Sequence, residues 1–417
     1  IHPSQPYLGR DRGRDSMSDL AGRLNIALHR DDGTLGVTIA STRPLAAPGF
    51  FVGCGVRETA QRLPGLFSVC ATAQASACAQ ALEQALGLTP DPLTASLRQT
   101  LVDAETLKEH LWRLLLEWPR LLGEAPAASA MREVLLAWAR LRQEVSDPNG
   151  LFVPGARAAG AGELGPELGA VVKRLAQVAA ADVFGAPAEV WLAGAATPED
   201  FVAWAEAAET SAARLVLSVL RAGEAGLGSC AVEALPDLEP VYVADRLSGP
   251  GAGVFVARPH WSGAPRETSP FTRTRHLDPV AGLVLANGNG LLARQAAVLV
   301  EAATLLTRLQ GTLDGGFVSV RGPAGTGIGI GIGIAQVQAA RGLLVHRVEL
   351  DRPNLENGLV CGYRILAPTE WNFHPQGVVV RGLATLSPMT DERNLRRQAG
   401  LFVTLVDPCV DYLLSVV

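Results

Sequence analysis

Six cysteines are the side chains of this sequence best suited to binding a metal, and they stand at Cys54, Cys70, Cys78, Cys230, Cys361 and Cys409. No two of them form a Cys-x-x-Cys pair, which argues against a zinc ribbon or an ordinary iron–sulfur site. Taken one at a time, cysteines more often pack as small apolar residues than bind a metal. Packing and ligation therefore both stay open for each.

Cys409 has a local argument for ligation, because it lies in the C-terminal stretch DPCVDYLLSVV. Asp407 followed by Pro408 is typical of a helix N-cap and a first-turn proline. This pattern predicts that Cys409 lies in the first turn of a short helix, where backbone N–H groups favour a thiolate.

The glycine-rich segment GPAGTGIGIGIGIAQVQAARG, residues 322–342, is the second candidate for chemistry. A phosphate-binding loop would continue with Lys-Ser or Lys-Thr, and this segment does not. A strand–helix–strand context for a dinucleotide is also not evident. We interpret the segment as a stretch of permissive backbone that leads into Arg341.

Helices and strands must position these residues, and the hydrophobic pattern predicts both. The stretch 23–42 alternates around Asp31-Asp32-Gly33 and predicts a β-hairpin. Asp103 is a candidate N-cap and Pro119 a helix end or kink, while Thr197 is a candidate N-cap before Pro198. Apolar residues at helical spacing predict helices within 66–86, 103–123, 131–141, 197–220 and 280–308. Three strands separated by turns are predicted within 342–350, 362–369 and 378–386. The helical stripes indicate a packed core rather than a cofactor site.

Composition excludes several classes of protein. The chain has 417 residues, 48% of them hydrophobic and 18% charged, which is enough for a large core. A net charge of −5 argues against nucleic-acid binding. No apolar run reaches the roughly 18–20 residues of a membrane span, so no membrane role is expected. Six cysteines in so long a chain favour reduced thiols and a cytoplasmic location over a disulfide framework.

The domain organisation follows from the two ends and one loop. Residues 1–16 are polar and lack the apolar core of a signal peptide, and Met17 resembles a native start. We interpret 1–16 as an upstream leader or a segment added for expression, and 17–417 as one domain. The stretch 146–167, rich in Gly, Pro and Ala, is interpreted as an internal loop rather than a linker.

Six blocks of the chain, in order, resemble the large subunit of nickel–iron hydrogenases. They are AGRLNIAL, LPGLFSVCATAQASACAQALE, PHWSGAPRETSPFTR, AARGLLVHRVEL, YRILAPTEWNFHP and DPCVDYLLS, between residues 21 and 415. The resemblance implies that family's fold, a mainly helical α+β architecture with a central helical bundle and small β elements near both termini.

The departures from the hydrogenase pattern concern its metal ligands. Phe67 and Tyr412 stand where the family has one cysteine of each of its two pairs. Ala21 replaces the proton-relaying glutamate, Ser415 replaces the terminal histidine, and the extension removed by the maturation protease is not expected. These losses make the chain similar to the hydrogenase expression/formation accessory proteins of the HupK/HoxV type, and no catalytic residue is expected.

The resemblance implies a cargo rather than a catalytic site. Cys70 and Cys409 would bind iron that carries two cyanides and one carbonyl, without nickel. Arg341 matches the arginine that overhangs the metals of the family. Ala367, Pro368 and Thr369 match the lining of the cyanide pocket, and Asp407 belongs to the same terminal block as Cys409. The other four cysteines match no ligand position and are expected to be packing residues.

The implied function is a maturation scaffold. It would receive the iron unit from a HypC-type small chaperone and its HypD-type partner and pass it to the apo large subunit. A divergent nickel–iron hydrogenase or hydrogen sensor stays open as the alternative, and so does a protein-binding chaperone without metal.

Overall fold

The computed structural model describes residues 21–31, 33–67, 69–145, 150–158, 161–313 and 329–417. The predicted leader, residues 1–16, and the glycine-rich residues before position 329 lie outside this range. The described residues form six strands: β1 (Leu24–Asp31), β2 (Thr34–Ser41), β3 (Ile332–Ala339), β4 (Gly342–Leu350), β5 (Val360–Leu366) and β6 (Tyr412–Val416).

Seventeen α-helices are present among the described residues. They are α1 (Val56–Arg62), α2 (Ala71–Ala85), α3 (Pro92–Trp112), α4 (Trp118–Leu121), α5 (Ala128–Val145), α6 (Ala161–Ala179), α7 (Ala188–Gly194), α8 (Pro198–Ala207), α9 (Ser211–Arg221), α10 (Pro240–Arg246), α11 (Ala252–Ala257), α12 (Pro270–Thr274), α13 (Val280–Asn287), α14 (Leu291–Leu313), α15 (Pro368–Asn372), α16 (Val378–Leu383) and α17 (Glu392–Val406). None of the helices in the described part of the chain is both long and apolar enough to cross a membrane.

The first sheet joins the two ends of the described chain, with strand order β2-β1-β6. β1 and β2 form the predicted hairpin, with Leu24 opposite Ser41 and Asp31 opposite Thr34. β6 pairs in parallel with β1, so that Leu24 lies opposite Tyr412. This pairing brings Cys409, three residues before β6, next to the N-terminal strand.

The second sheet, β3-β4-β5, is antiparallel and packs against α2. A Cβ atom at Gly333 would lie 1.7 Å from the Ala81 carbonyl oxygen of α2, so only glycine allows the strand this close to the helix. The glycines that we interpreted as permissive backbone therefore include one required by close packing.

The core is built around α14, whose residues are buried on all faces over most of its length. The predicted continuous helix 280–308 is wrong, because the chain breaks between α13 and α14. Gly288 there has a φ of 76°, and a Cβ atom at Gly290 would lie 2.4 Å from the Gly226 carbonyl carbon. Two glycines thus allow a turn and a close contact that an apolar pattern does not reveal.

The predicted helix ends were right in some places and wrong in others. Thr197 caps α8, since its Oγ1 accepts a hydrogen bond from the Asp200 N–H at 3.1 Å. The helical region that follows α3 ends at Leu121, two residues beyond Pro119, as predicted. Asp103 is not a cap, because α3 begins at Pro92 with Asp91 as its N-cap.

Two assignments based on local composition are also wrong. Residues 378–383 form α16 rather than a strand, because an apolar run alone does not distinguish a buried helix from a buried strand. Val378 and Val379 are fully buried in this helix, which packs against α17 and β2. The predicted loop 146–167 includes the first turns of α6.

Candidate functional site

Cys70 is held at the N-terminus of α2, where it is the N-cap residue. The first N–H groups of this helix, at Thr72 and Ala73, donate to the two carboxylate oxygens of Glu105 at 2.9 and 3.0 Å. The Cys70 sulfur accepts a hydrogen bond from Gln74 Nε2, one turn along the helix, at 3.6 Å. The carboxylate of α3 and the amide of α2 therefore fix the backbone and the sulfur of Cys70.

Cys409 lies in a bend between α17 and β6 and not in a helix. The predicted helix N-terminus at Asp407 is wrong: Asp407 is the C-cap of α17, in the left-handed region with φ 61°. Proline disfavours the helical conformation of the residue before it, so the Asp-Pro pair here ends a helix instead of starting one. The Cys409 sulfur lies 3.0 Å from the hydroxyl oxygen of Thr369.

Thr369 stands in the first turn of α15, with Ala367 as N-cap and Pro368 beside it. All three residues are buried or nearly so. The predicted Ala-Pro-Thr segment therefore lies against Cys409, and a short helix rather than a strand presents its hydroxyl.

Arg341 sits in the turn between β3 and β4, and its backbone is fixed from two sides. The Asn372 side chain donates to the Arg341 carbonyl at 3.3 Å and to the Thr268 carbonyl at 2.6 Å. Gly342 has a φ of 130° and lies against Thr268, which excludes a side chain at this position. Segments that are about 70 and 30 residues away in the chain thus hold Arg341 in place.

The guanidinium of Arg341 is buried among acidic groups. Its Nη2 donates to Glu109 Oε2 at 3.2 Å, and its Nε forms an ion pair with Asp407 Oδ2 at 3.3 Å. Although burial alone would lower the pKa of Arg341, the charges of Asp407 and Glu109 hold it above its usual value. The Nη1 group is buried without a hydrogen-bond partner. An unsatisfied buried donor of this kind is costly, and an acceptor in the pocket would relieve the cost.

The two cysteines and Arg341 lie near enough for their charges to interact, and we call this cluster the pocket. Burial and the neighbouring Cys409 raise the pKa of the Cys70 thiol to about 12, while Arg341 acts in the opposite direction. Cys70 is therefore a neutral thiol at pH 7 when no metal is bound. A metal ion that binds here must displace this proton.

Arg43 is a pocket residue that the sequence did not reveal. It follows β2 and forms an ion pair with Glu370, the residue after Thr369. Burial would lower the pKa of Arg43, but the charges of Cys409 and Glu370 raise it above its usual value. A single arginine before a proline has no motif around it, so no sequence signal marks it.

Acidic residues of α3 were also missed, although a signal exists for them. Glu105 and Glu109 are four residues apart and therefore share a face of α3. Both are buried, and they contact the Cys70 helix and Arg341 respectively. Buried carboxylates are rare unless they are paired, so two on one helix face indicate a polar site.

The other cysteines and the two residues that replace family cysteines differ in how far they are buried. Cys78 is fully buried, Cys54 and Cys230 are partly buried, and Cys361 is exposed on β5, so the expectation of packing is wrong for Cys361. Phe67 and Tyr412 are partly buried and pack against core clusters. In the described part of the chain, no group of three or more His, Cys, Asp or Glu side chains could hold a metal ion.

The pocket therefore combines two sulfur atoms with the buried Arg341 and the partly buried Arg43. Thiolates suit a soft metal, and guanidinium groups suit anionic groups attached to that metal. The pocket has the chemistry to bind a metal ion that brings its own anionic ligands.

Comparison with known proteins finds similar sequences over most of the chain. The chain is 30% identical to the hydrogenase expression/formation protein HoxV of Cupriavidus necator, over 90% of the chain and 91% of HoxV. It is 31% identical to HupK of Bradyrhizobium diazoefficiens, over 91% of the chain and 94% of that protein. It is 29% identical to HupK of Rhizobium leguminosarum bv. viciae, over 91% of the chain and 92% of that protein. No protein-family model matches the chain.

Solved structures share the fold at low sequence identity. A reduced, active form of the Ni-Fe-Se hydrogenase from Desulfomicrobium baculatum has a TM-score of 0.60 and 14% identity, over 91% of this chain and 94% of that chain. An NAD+-reducing [NiFe]-hydrogenase in the H2-reduced state has a TM-score of 0.57 and 18% identity, over 91% of this chain and 93% of that chain. These likenesses confirm the predicted fold, that of the nickel–iron hydrogenase large subunit.

Proposed function

Because the chain belongs to the HoxV, HupK and HupV family of hydrogenase expression/formation proteins, we propose that it is a maturation scaffold for the iron–dicyanide–carbonyl unit. Its cargo is iron with two cyanides and one carbonyl. It receives this unit from a HypC-type chaperone with a HypD-type partner, in the cytoplasm, and passes it to the apo large subunit.

The observation that carries this proposal is the pairing of two thiols with an unsatisfied buried guanidinium. Cys70 and Cys409 supply two thiolates, which together with three diatomic ligands make iron five-coordinate. The free Nη1 of Arg341 offers a hydrogen bond to a cyanide nitrogen, which is a good acceptor. Thr369, 3.0 Å from the Cys409 sulfur, is placed to hydrogen-bond a second ligand or the thiolate.

Charge balance also favours this cargo. Two thiolates and two cyanides together bring four negative charges, of which iron(II) neutralises two. Arg341 and Arg43 bring two positive charges to the same pocket, and Lys108 and Arg113 also pair with Glu109 and Asp407, so that these two carboxylates do not depend on Arg341 alone. A buried anionic complex requires such compensation.

The same pocket is a poor site for nickel. Phe67 and Tyr412 stand where two further thiolates would be needed, and both side chains are partly buried against the core. We therefore propose that the protein is not a hydrogenase and that its role ends with delivery of the iron unit.

Cysteine variants test this proposal. The protein is purified anaerobically from a host that expresses the maturation proteins, and infrared spectra are recorded in the cyanide and carbonyl region. Cys70→Ala and Cys409→Ala should each abolish the bands and stop maturation of the partner hydrogenase. Cys230→Ala is the matched control, because Cys230 is partly buried elsewhere, and it should keep the bands. Full bands in both pocket variants would contradict the proposal.

A further inference from the structure

A chain of buried polar side chains leads away from the Cys70 sulfur into the interior. Gln74 Nε2 lies 3.6 Å from Cys70 Sγ, and Gln74 Oε1 lies 2.8 Å from His346 Nε2. On the other side of the ring, His346 Nδ1 lies 2.9 Å from the hydroxyl of Tyr363. Cys78 closes the chain with a hydrogen bond to Tyr363.

The fold brings these residues into one line for simple geometric reasons. Cys70, Gln74 and Cys78 are spaced four residues apart and lie on one face of α2. His346 of β4 pairs with Ile365 of β5, so Tyr363 is its diagonal neighbour on the same face of the sheet. This face packs against α2, and all four residues beyond Cys70 are at most 2% exposed.

The direction of the hydrogen bonds follows from which atoms can donate. The amide oxygen of Gln74 only accepts, so His346 Nε2 must carry the proton that it donates. His346 is fully buried, and burial lowers its pKa to about 3, so the ring is neutral. Its Nδ1 then accepts from the hydroxyl of Tyr363. From Tyr363 through His346 to Gln74, each donor points towards Cys70.

We infer that His346 is a positioning residue for the proposed iron site, and that it acts through Gln74. As the Nε2–H tautomer, it holds the Gln74 amide with the NH2 group facing the Cys70 sulfur. The opposite tautomer would turn the amide oxygen towards the sulfur, and an oxygen cannot donate to a metal-bound thiolate. The network therefore selects the arrangement that a thiolate ligand needs.

This inference rests on the proposed function and makes it more specific. A hydrogen bond to a thiolate withdraws electron density from sulfur and hence from the iron. The carbonyl ligand reports this density directly, since more density on iron lowers its stretching frequency. Loss of the Gln74 donor should therefore shift the carbonyl band to lower wavenumber and weaken retention of the iron unit about tenfold.

The first test needs no iron. Protein labelled with 15N in its seven histidines is examined by NMR, and the His346 signal is identified by its loss in His346→Gln. The expected result from pH 5 to 8 is a neutral ring with the proton on Nε2. A ring protonated on Nδ1, or on both nitrogens, would overturn the inference.

The second test uses the loaded protein and a matched control. Gln74→Leu should lower the carbonyl frequency, while Gln80→Leu should not. Gln80 lies on the same helix but donates to Ser76 Oγ at 3.0 Å instead of to sulfur. Equal frequencies in Gln74→Leu and the wild type would overturn the inference. A wild-type protein without any cyanide or carbonyl bands would refute the proposed function. The tautomer measurement would still show whether His346 and Gln74 are arranged as inferred.

Discussion

Removal of the Arg341 side chain should both destabilise the fold and loosen the cargo pocket. Truncating one partner of a buried ion pair costs about 3–5 kcal/mol when the other partner is left unpaired. In this pocket neither carboxylate is left alone. Glu109 keeps Lys108 Nζ at 2.5 Å, and Asp407 keeps Arg113. We therefore expect Arg341→Ala to lower the free energy of unfolding by about 2–3 kcal/mol, below the full penalty.

Urea unfolding followed by tryptophan fluorescence measures this change. Arg57→Ala is the control, since Arg57 pairs with Glu356 at 3.2 Å and the two side chains are 43% and 70% exposed, and it should lose under about 1 kcal/mol. Asp407→Asn combined with Arg341→Ala should cost less than the sum of the two single changes, because the two side chains interact directly. A loss below about 0.5 kcal/mol in Arg341→Ala, or strict additivity, would refute this view of the pocket.

Three further predictions concern other parts of the same account. Arg341→Lys keeps the charge but not the planar donors, so this variant should fold normally and release the iron unit about 10–100 times more readily to a chelator. Equal retention in the variant and the wild type would show that Arg341 does not bind the iron unit. Thr369→Val should also weaken retention of the iron unit, measured as carbonyl band intensity after dilution. Thr307→Val should not, because the Thr307 hydroxyl donates to the Ala303 carbonyl of its own helix. Acid should destabilise the protein through His346, whose pKa is about 3 in the folded protein against an ordinary 6.5. The contribution of the neutral ring to the free energy of unfolding, roughly 5 kcal/mol, is present above pH 6.5 and is lost as pH falls towards 3. Unfolding of His346→Gln should show a flatter pH dependence over that range, and an unchanged slope would contradict the buried neutral ring.

Much of the fold was accessible from the sequence, because its elements carry strong local patterns. The β1–β2 hairpin, the cap at Thr197 and the helix end near Pro119 all follow from short-range chemistry. The errors occur where tertiary context decides. Asp407-Pro408 has the composition of a helix start, yet it ends α17 because a 15-residue helix already precedes it and Pro408 disfavours a helical Asp407.

The site was only partly predictable for a related reason. Cys70, Cys409, Arg341 and Thr369 could be named from blocks that resemble a known family, and the fold places them around one pocket. Arg43 could not be named, because nothing in its local sequence distinguishes it from a surface arginine. The direction of the Gln74–His346 network depends on register between β4 and β5 and on the packing of α2, which no local pattern encodes.

The most direct test of the central claim is an isotope-transfer measurement. The protein is loaded in cells grown with 13CO, purified anaerobically, and mixed with the unlabelled apo large subunit of the partner hydrogenase. The two proteins are then separated, and infrared spectra of each are recorded. Our account predicts that 13CO bands leave this protein and appear on the large subunit, and that iron is present before mixing without nickel. Labelled bands that stay on this protein, or nickel in equal amount to iron, would contradict it.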